Sequence, residues 1–329
     1  MTTRRPLPPP LEIPKPGFGR RTPPALFPPI MGLFGLGLGW RAAAGAFGVS
    51  PAIGDLILGA TSLLFLFTLA AYLAKPLRRP TAFMEDLRVL PGRAGLSAAS
   101  LCLMLFAAVL APMASGVATA LALSAFAVHV GLVVAIILTL LRGPEEGRVV
   151  TPVFHLSFVG FIIGGVAANA LGYHDIARWL LWSMLLPAGL IWGFSARQLL
   201  ARVPPAPLRP LLAIHLAPAC LFTLVAAGAG LETAAYAFSA LAASILVALL
   251  VAARWLTLAG FSPLWGAFTF PLAAFASALV TLSQGQGALG AIGGVTLVAA
   301  TLIVPLIAYR VFKLWPGGKL AAKTNAATA

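Results

Sequence analysis

Long apolar runs restrict this chain more than any other feature. Ten of them follow one another, each near the roughly 20 residues that a helix needs to cross a bilayer. Only 9% of the residues are charged, which is too few to cover a water-facing surface. Lipid cannot hydrogen bond to the backbone, so the runs predict an all-α membrane protein with ten transmembrane helices. They cover approximately residues 26–44, 53–74, 95–113, 116–141, 152–171, 176–198, 210–228, 233–253, 264–283 and 287–311.

The basic residues predict the orientation. If all ten runs cross in turn, only Arg41 and Arg178 of the 22 Lys and Arg residues fall on one side. The positive-inside rule then places both termini in the cytoplasm of a multi-pass inner (plasma) membrane protein. We predict a Pro/Arg-rich cytoplasmic tail over 1–24, a transmembrane domain over 25–312 and a cytoplasmic tail over 313–329. The net charge of +14 lies in short loops and does not indicate nucleic-acid binding.

Carboxylates are missing from the middle of every run; Asp55, Asp175 and Glu232 lie at the predicted outer ends and loops. Coupled carriers often use an intramembrane carboxylate, so this pattern disfavours a coupled carrier, and it also disfavours an enzyme. The four histidines fall in different segments without a close pair, and we predict no metal or cofactor. His155 and His215, near the predicted cytoplasmic ends of their runs, are candidates for attracting anions at a pore mouth.

Glycine and proline positions carry further information. Gly35 and Gly39 in the first run form a GxxxG pattern, which permits close approach of another helix. Pro218 in the seventh run and Pro271 in the ninth each leave a carbonyl four residues earlier without its helical partner. We therefore predict kinks at both prolines, with the freed carbonyls facing protein or a water-filled cavity.

Four short segments, taken together, resemble a known family: Phe27–Trp40, Leu171–Asp175, Leu216–Ala219 and Trp265–Pro271. Through them the chain is similar to the tellurite-resistance and C4-dicarboxylate transporter (TDT) family, whose TehA-like proteins are related to the plant guard-cell slow anion channels. The resemblance implies five helical hairpins around a central pore with quasi-five-fold symmetry, and a homotrimer. It also implies that a phenylalanine of the ninth span plugs the pore; the matching residue here is Phe270.

The function implied by this resemblance is a passive anion channel or exporter gated by Phe270. An apolar ring across a narrow pore stops ions by dewetting. Gly32, Gly35, Phe158 and Thr269 are candidates for the pore wall. The alternative is a secondary carrier of the same fold that exports C4-dicarboxylates, sulfite or tellurite-type oxyanions. The expected partners are small inorganic or organic anions and the lipid bilayer, and the sequence leaves the physiological anion open.

Overall fold

A computed structural model describes residues 17–329, so most of the predicted tail over 1–24 lies outside the described residues. Short 3-10 segments span Pro24–Leu26, Glu145–Arg148, Ala206–His215 and Pro263–Trp265, and a π-helical turn spans His155–Val159. The α-helices are α1 (Phe27–Phe47), α2 (Ala52–Arg78), α3 (Thr81–Arg88), α4 (Leu90–Leu110), α5 (Ser115–Arg142), α6 (Ile162–Ala170), α7 (His174–Ala201), α8 (Leu216–Gly228), α9 (Glu232–Val251), α10 (Ala253–Leu256), α11 (Gly266–Ser283), α12 (Gly287–Phe312) and α13 (Lys319–Lys323).

Nine helices within residues 17–329 are long and apolar enough to cross a membrane, and they match nine of the ten predicted runs. The run at 152–171 is the exception, because the structure breaks the predicted single helix into a π-helical turn and α6. A tertiary contact stabilises the break: Nε2 of the buried His129 in α5 lies 3.0 Å from the Ser157 carbonyl. A side chain at Gly160 would collide with the Leu156 carbonyl, so the turn requires glycine.

The two ends of the described chain lie on the same face. The backbone N–H of Ala329 donates a hydrogen bond to the carbonyl of Arg20, at 3.1 Å. An odd number of crossings would separate these residues by the thickness of the membrane. We therefore count the broken segment His155–Ala170 as the tenth crossing.

The membrane helices fall into a buried set and an exposed set. In the buried set, α1 contacts α4 and α11, α6 contacts α4 and α8, and α8 also contacts α11. In the exposed set, each of α2, α5, α7, α9 and α12 contacts the membrane helix that precedes it. The buried share of the most apolar stretch is 50–83% for α1, α4, α8 and α11, but 17–33% for the exposed set. The buried helices therefore form the protein core, and the exposed helices face lipid.

Three local features differ from the sequence expectations. The connection after α2 contains a short helix, α3, and α4 begins at Leu90, several residues before the predicted run, with Pro91 in its first turn. Pro218 also lies in the first turn of its helix, α8, where backbone N–H groups have no intrahelical partner. Pro271, by contrast, lies inside α11 and cannot donate to the Ala267 carbonyl. Of these two prolines, only Pro271 interrupts an established hydrogen-bond ladder.

Gly95 supplies a test of the packing between α4 and the segment that leads into α1. A Cβ atom at this position would collide with the backbone of Pro24. We expect Gly95→Ala to lower the free energy of unfolding by about 1–3 kcal/mol, the usual range for overpacking. Thermal unfolding in detergent measures the change. Gly131→Ala in the lipid-facing α5 is the control, since a Cβ there meets nothing within 4 Å; equal losses for both variants would contradict the prediction.

Candidate functional site

The closest helix pair of the core joins α1 to α11, and glycines of α1 make it possible. A Cβ at Gly32 would collide with Thr269, and a Cβ at Gly35 would lie 3.2 Å from Cδ2 of Phe270. The Thr269 hydroxyl donates to the Gly266 carbonyl within α11, at 2.7 Å. The close approach predicted for Gly35 and Gly39 is confirmed, since a Cβ at Gly39 would likewise collide with Oγ of Ser277 in α11. Gly32 and Thr269 face each other at this helix interface, and Gly35 leaves room for the Phe270 ring.

A cavity of about 60 Å³ lies against Phe270. Phe270 is only 6% exposed, and Ala267 and Pro271, which flank it in α11, also line the cavity. The wall is almost entirely apolar and carries no charged side chain. Its lining residues come from α1, α4, α8, α11 and the segments that lead into the core helices: Ala25, Pro28, Met31, Pro91, Ala94, Leu156, Leu211, Ile214, Ala217, Pro263, Leu264, Gly266, Ala267, Phe270 and Pro271.

The N-termini of five core segments converge on this cavity. Lining residues lie at the start of α1 (Pro28), α4 (Pro91), the π-helical turn (Leu156), α8 (Ala217) and α11 (Gly266). None of these N-termini has a side-chain capping hydrogen bond. A helix N-terminus carries a partial positive charge. The N–H groups of Leu156, Leu216 and Gly266 already donate to backbone carbonyls of the preceding turns, so these segments contribute aligned dipoles rather than free donors. The cavity therefore combines an apolar wall with backbone dipoles that favour an anion.

A second, smaller cavity of about 20 Å³ adjoins the first. The two share Met31, Leu156, Ile214 and Ala217. Its further lining residues come from α4, the π-helical turn, α6 and α8: Leu101, His155, Val159, Gly160, Ile162, Ile163, Pro218 and Leu221. The second cavity extends the first deeper between the core helices.

The structure pairs two histidines that the sequence placed in separate segments. Nε2 of His155 lies 2.9 Å from Nδ1 of His215, and Nε2 of His215 lies 2.7 Å from the Ser195 hydroxyl. Trp192 donates from Nε1 to the His215 carbonyl, at 3.1 Å. Nδ1 of the buried His155 has no hydrogen-bond partner within residues 17–329. No spacing signals this pair, because its members are 60 residues apart in the chain.

Most of the predicted site residues lie at three locations; His215 lies behind His155, and Phe158 lies elsewhere. Phe270 and Pro271 line the first cavity, and His155 and Pro218 line the second. Gly32, Gly35 and Thr269 lie between α1 and α11. Phe158 lines neither cavity and packs edge-to-face on Phe154, with ring centroids 5.2 Å apart. Four residues that line both cavities could not be singled out as site residues from the sequence: Met31, Leu156, Ile214 and Ala217. Apolar side chains carry no chemical signal in an apolar run.

A buried ion pair lies away from the cavities, where the chain ends meet. Lys75 Nζ and Asp86 Oδ2 are 2.6 Å apart, and neither side chain is exposed. Lys75 donates to the carbonyls of Thr22 and Ala327, at 3.0 and 3.2 Å, and the Ala327 N–H donates to Asp86 at 2.8 Å. The pair therefore fixes the C-terminal segment against α2, α3 and the segment before α1. In the sequence, both residues fall between the predicted runs 53–74 and 95–113, where nothing distinguishes them from other loop charges.

A comparison with family models decides the relationship. The model for the SLAC1 family, described as voltage-dependent anion channel, matches residues 21–312. The chain belongs to the SLAC1 family. This result confirms the resemblance to the tellurite-resistance and dicarboxylate transporters, and it makes the chain a multi-pass membrane protein of an anion-transport family. None of the curated proteins compared with the chain matches it. The SLAC1 match includes both cavities and all helices from α1 to α12.

Proposed function

We propose that this SLAC1-family protein is a passive anion channel whose pore lies within one protomer and is closed by Phe270. The observation that carries the proposal is the convergence of five uncapped N-termini on the cavity beside Phe270. The contacts of the core helices support it, since they run from α1 through α4, α6, α8 and α11 back to α1. Such a closed series is what five hairpins with quasi-five-fold symmetry around a pore would produce.

The cavity attracts anions without binding them tightly. Each helix N-terminus contributes about 0.3–1 kcal/mol toward a nearby negative charge. No Lys or Arg lines either cavity, so no fixed cation holds the ion in place. Conduction requires a site that is favourable enough to enter and weak enough to leave. Backbone dipoles spread around an apolar wall meet both requirements.

Phe270 blocks this path in the proposed mechanism. Its ring lies at the wall of the first cavity and is almost completely buried. An apolar constriction excludes water, and an ion cannot cross it without losing its hydration shell. The ring packs against Gly35, where a Cβ would lie 3.2 Å from Cδ2 and crowd the ring. A change of the Phe270 rotamer away from this position would then open the pore.

We assign the histidine pair an assisting role along the same path. If the Ser195 hydroxyl donates to His215, and His215 donates from Nδ1 to His155, then Nδ1 of His155 carries a hydrogen. This N–H group is free of partners within the described residues and lies at the wall of the second cavity. It can therefore replace a water of hydration around a passing anion.

The same proposal includes the orientation of the channel in the membrane and the direction in which anions flow. The basic residues support an inner-membrane protein with both termini, and hence the first cavity, on the cytoplasmic side. A negative-inside potential drives anions out by about 2.3 kcal/mol per charge for each 100 mV, so export needs no coupling ion. The homotrimer rests on the family resemblance alone. The predicted tail at 313–329 lies outside the SLAC1 match and packs against the cytoplasmic end of the core in this orientation.

Anion flux in proteoliposomes tests the proposal. We expect chloride and nitrate to move in response to a potassium–valinomycin potential alone, with a rate that rises linearly with concentration and with no proton movement. A passive pore has no coupling stoichiometry, which is the reason for this expectation. Saturable flux of a C4-dicarboxylate, sulfite or tellurite, with a fixed ratio of protons, would reject the channel and support the carrier. Protein-free liposomes give the background leak.

A further inference from the structure

A cavity lined by arginines lies at the ends of α3, α4 and α5, away from the cavities beside Phe270. It is open to solvent and has a volume of about 600 Å³, and Arg88, Arg93 and Arg142 line it. Met84 and Leu138 add exposed apolar surface at the same site. No residue of this arginine cavity belongs to the wall of either cavity near Phe270. The site is therefore independent of the proposed pore.

Arg93 is the residue that calls for a ligand. The residue is almost completely buried, with an exposed fraction of only 7%. A guanidinium has five N–H donors, and a buried donor without an acceptor is unfavourable. Within residues 17–329, Arg93 makes one long hydrogen bond, from Nη1 to the Leu87 carbonyl at 3.4 Å. Its Nε has no partner.

The nearby carboxylates do not neutralise these arginines. Arg79 donates to both oxygens of Glu85, at 2.6 and 2.8 Å, and this hydrogen bonding holds the pKa of Glu85 below its usual value. Asp86 is occupied by Lys75. Arg88, Arg93 and Arg142 form no ion pair with a carboxylate of the described chain. The exposed acidic residues of the loop after α5, Glu145 and Glu146, do not line the cavity.

We propose that the arginine cavity binds a phosphate group, presented by an anionic phospholipid or by a soluble phosphate. Arginine matches phosphate well, because its planar fork can donate two parallel hydrogen bonds. The place in the fold suits a headgroup at the membrane surface. Arg142 ends the lipid-facing helix α5, and Leu138, one turn earlier, is 41% exposed. Basic pockets between transmembrane helices near the cytoplasmic surface are typical sites for anionic headgroups.

Native mass spectrometry of the full chain in detergent, with added dioleoyl phosphatidylglycerol, tests this site. We expect the wild type to bind the lipid about tenfold more tightly than Arg93→Gln, since a hydrogen bond to a charged group is lost. Phosphatidylcholine, which has no net charge, should show no such difference. Arg142→Gln should weaken binding in the same direction and serves if Arg93→Gln does not fold. Arg197→Gln is the matched control, an exposed arginine outside the cavity.

Inorganic phosphate separates the two sources. If millimolar phosphate raises the melting temperature of lipid-free wild type but not of the Arg93 or Arg142 variants, a soluble phosphate is sufficient. If only phosphatidylglycerol distinguishes these variants, the ligand is a lipid headgroup. Equal phosphatidylglycerol affinity in Arg93→Gln, Arg142→Gln and Arg197→Gln, together with no arginine-dependent effect of phosphate, would overturn the proposal.

Discussion

Phe270→Ala is expected to raise the anion current through a reconstituted bilayer by about a hundredfold over the wild type. Removal of the ring joins the apolar cavity to the space beyond it, so the constriction that excludes water is lost. A hundredfold increase corresponds to a barrier lowered by about 2.7 kcal/mol. The current should stay selective for anions, because the helix N-termini around the cavity are unchanged. Single-channel recording in chloride and nitrate gradients measures both the size and the reversal potential.

Phe275→Ala provides the matched control for this experiment. Phe275 lies in the same helix and is equally buried, at 3% exposed, but it does not line the cavity. Both variants remove the same number of atoms from α11, so loss of packing alone should affect them alike. Equal currents from the two variants would remove the special role of Phe270. If neither variant carries a current, although both elute as folded proteins from a size-exclusion column, the plugged pore is rejected.

Lys75→Met should destabilise the protein by about 3–5 kcal/mol, the range for leaving one charge of a buried pair uncompensated. The substitution removes the charged partner of the Asp86 carboxylate, which is completely buried. It also removes the donor that reaches the carbonyls of Thr22 and Ala327. We therefore expect the C-terminal segment to detach first. Hydrogen exchange of residues 319–329 and thermal unfolding in detergent give the two measurements.

Two further variants show whether the effect comes from the charge. Lys75→Met combined with Asp86→Leu should recover part of the stability, since replacing both members of a buried pair by apolar groups is often neutral. Arg79→Gln removes an exposed ion pair with Glu85 and should have little effect. If Lys75→Met and Arg79→Gln unfold at the same temperature, the buried pair does not hold the tail.

Much of the architecture could be predicted from the sequence because lipid imposes strict requirements. Each crossing needs a long apolar run, and the runs fixed nine helices to within a few residues of their observed ends. The break in the crossing at 152–171 could not be predicted, since a histidine of α5 stabilises it from outside its own segment. The ion pair between Lys75 and Asp86 could not be predicted from the sequence either. Their local sequence is that of any cytoplasmic loop, and only the fold removes them from water.

Less of the candidate site than of the fold could be predicted from the sequence. Phe270 stood out through the family resemblance, because one phenylalanine among many in an apolar run carries no physical mark. The glycines of α1 were more informative, since small residues at helical spacing indicate a close neighbour. His155 and His215 were selected separately, and their hydrogen bond depends on a tertiary arrangement. The helix N-termini around the cavity were not anticipated, because convergence is a property of the whole bundle.

That convergence has a consequence for experiments on selectivity. Under the proposed function, the preference for negative ions resides in peptide amides, which every amino acid except proline supplies. Substituting side chains one at a time would then leave the preference in place, and a mutational scan would report no selectivity filter at all. Distant members of the family could likewise exchange most of the cavity wall and still prefer anions. The preference for anions would then be conserved together with the backbone fold, and sequence comparison alone would not reveal it.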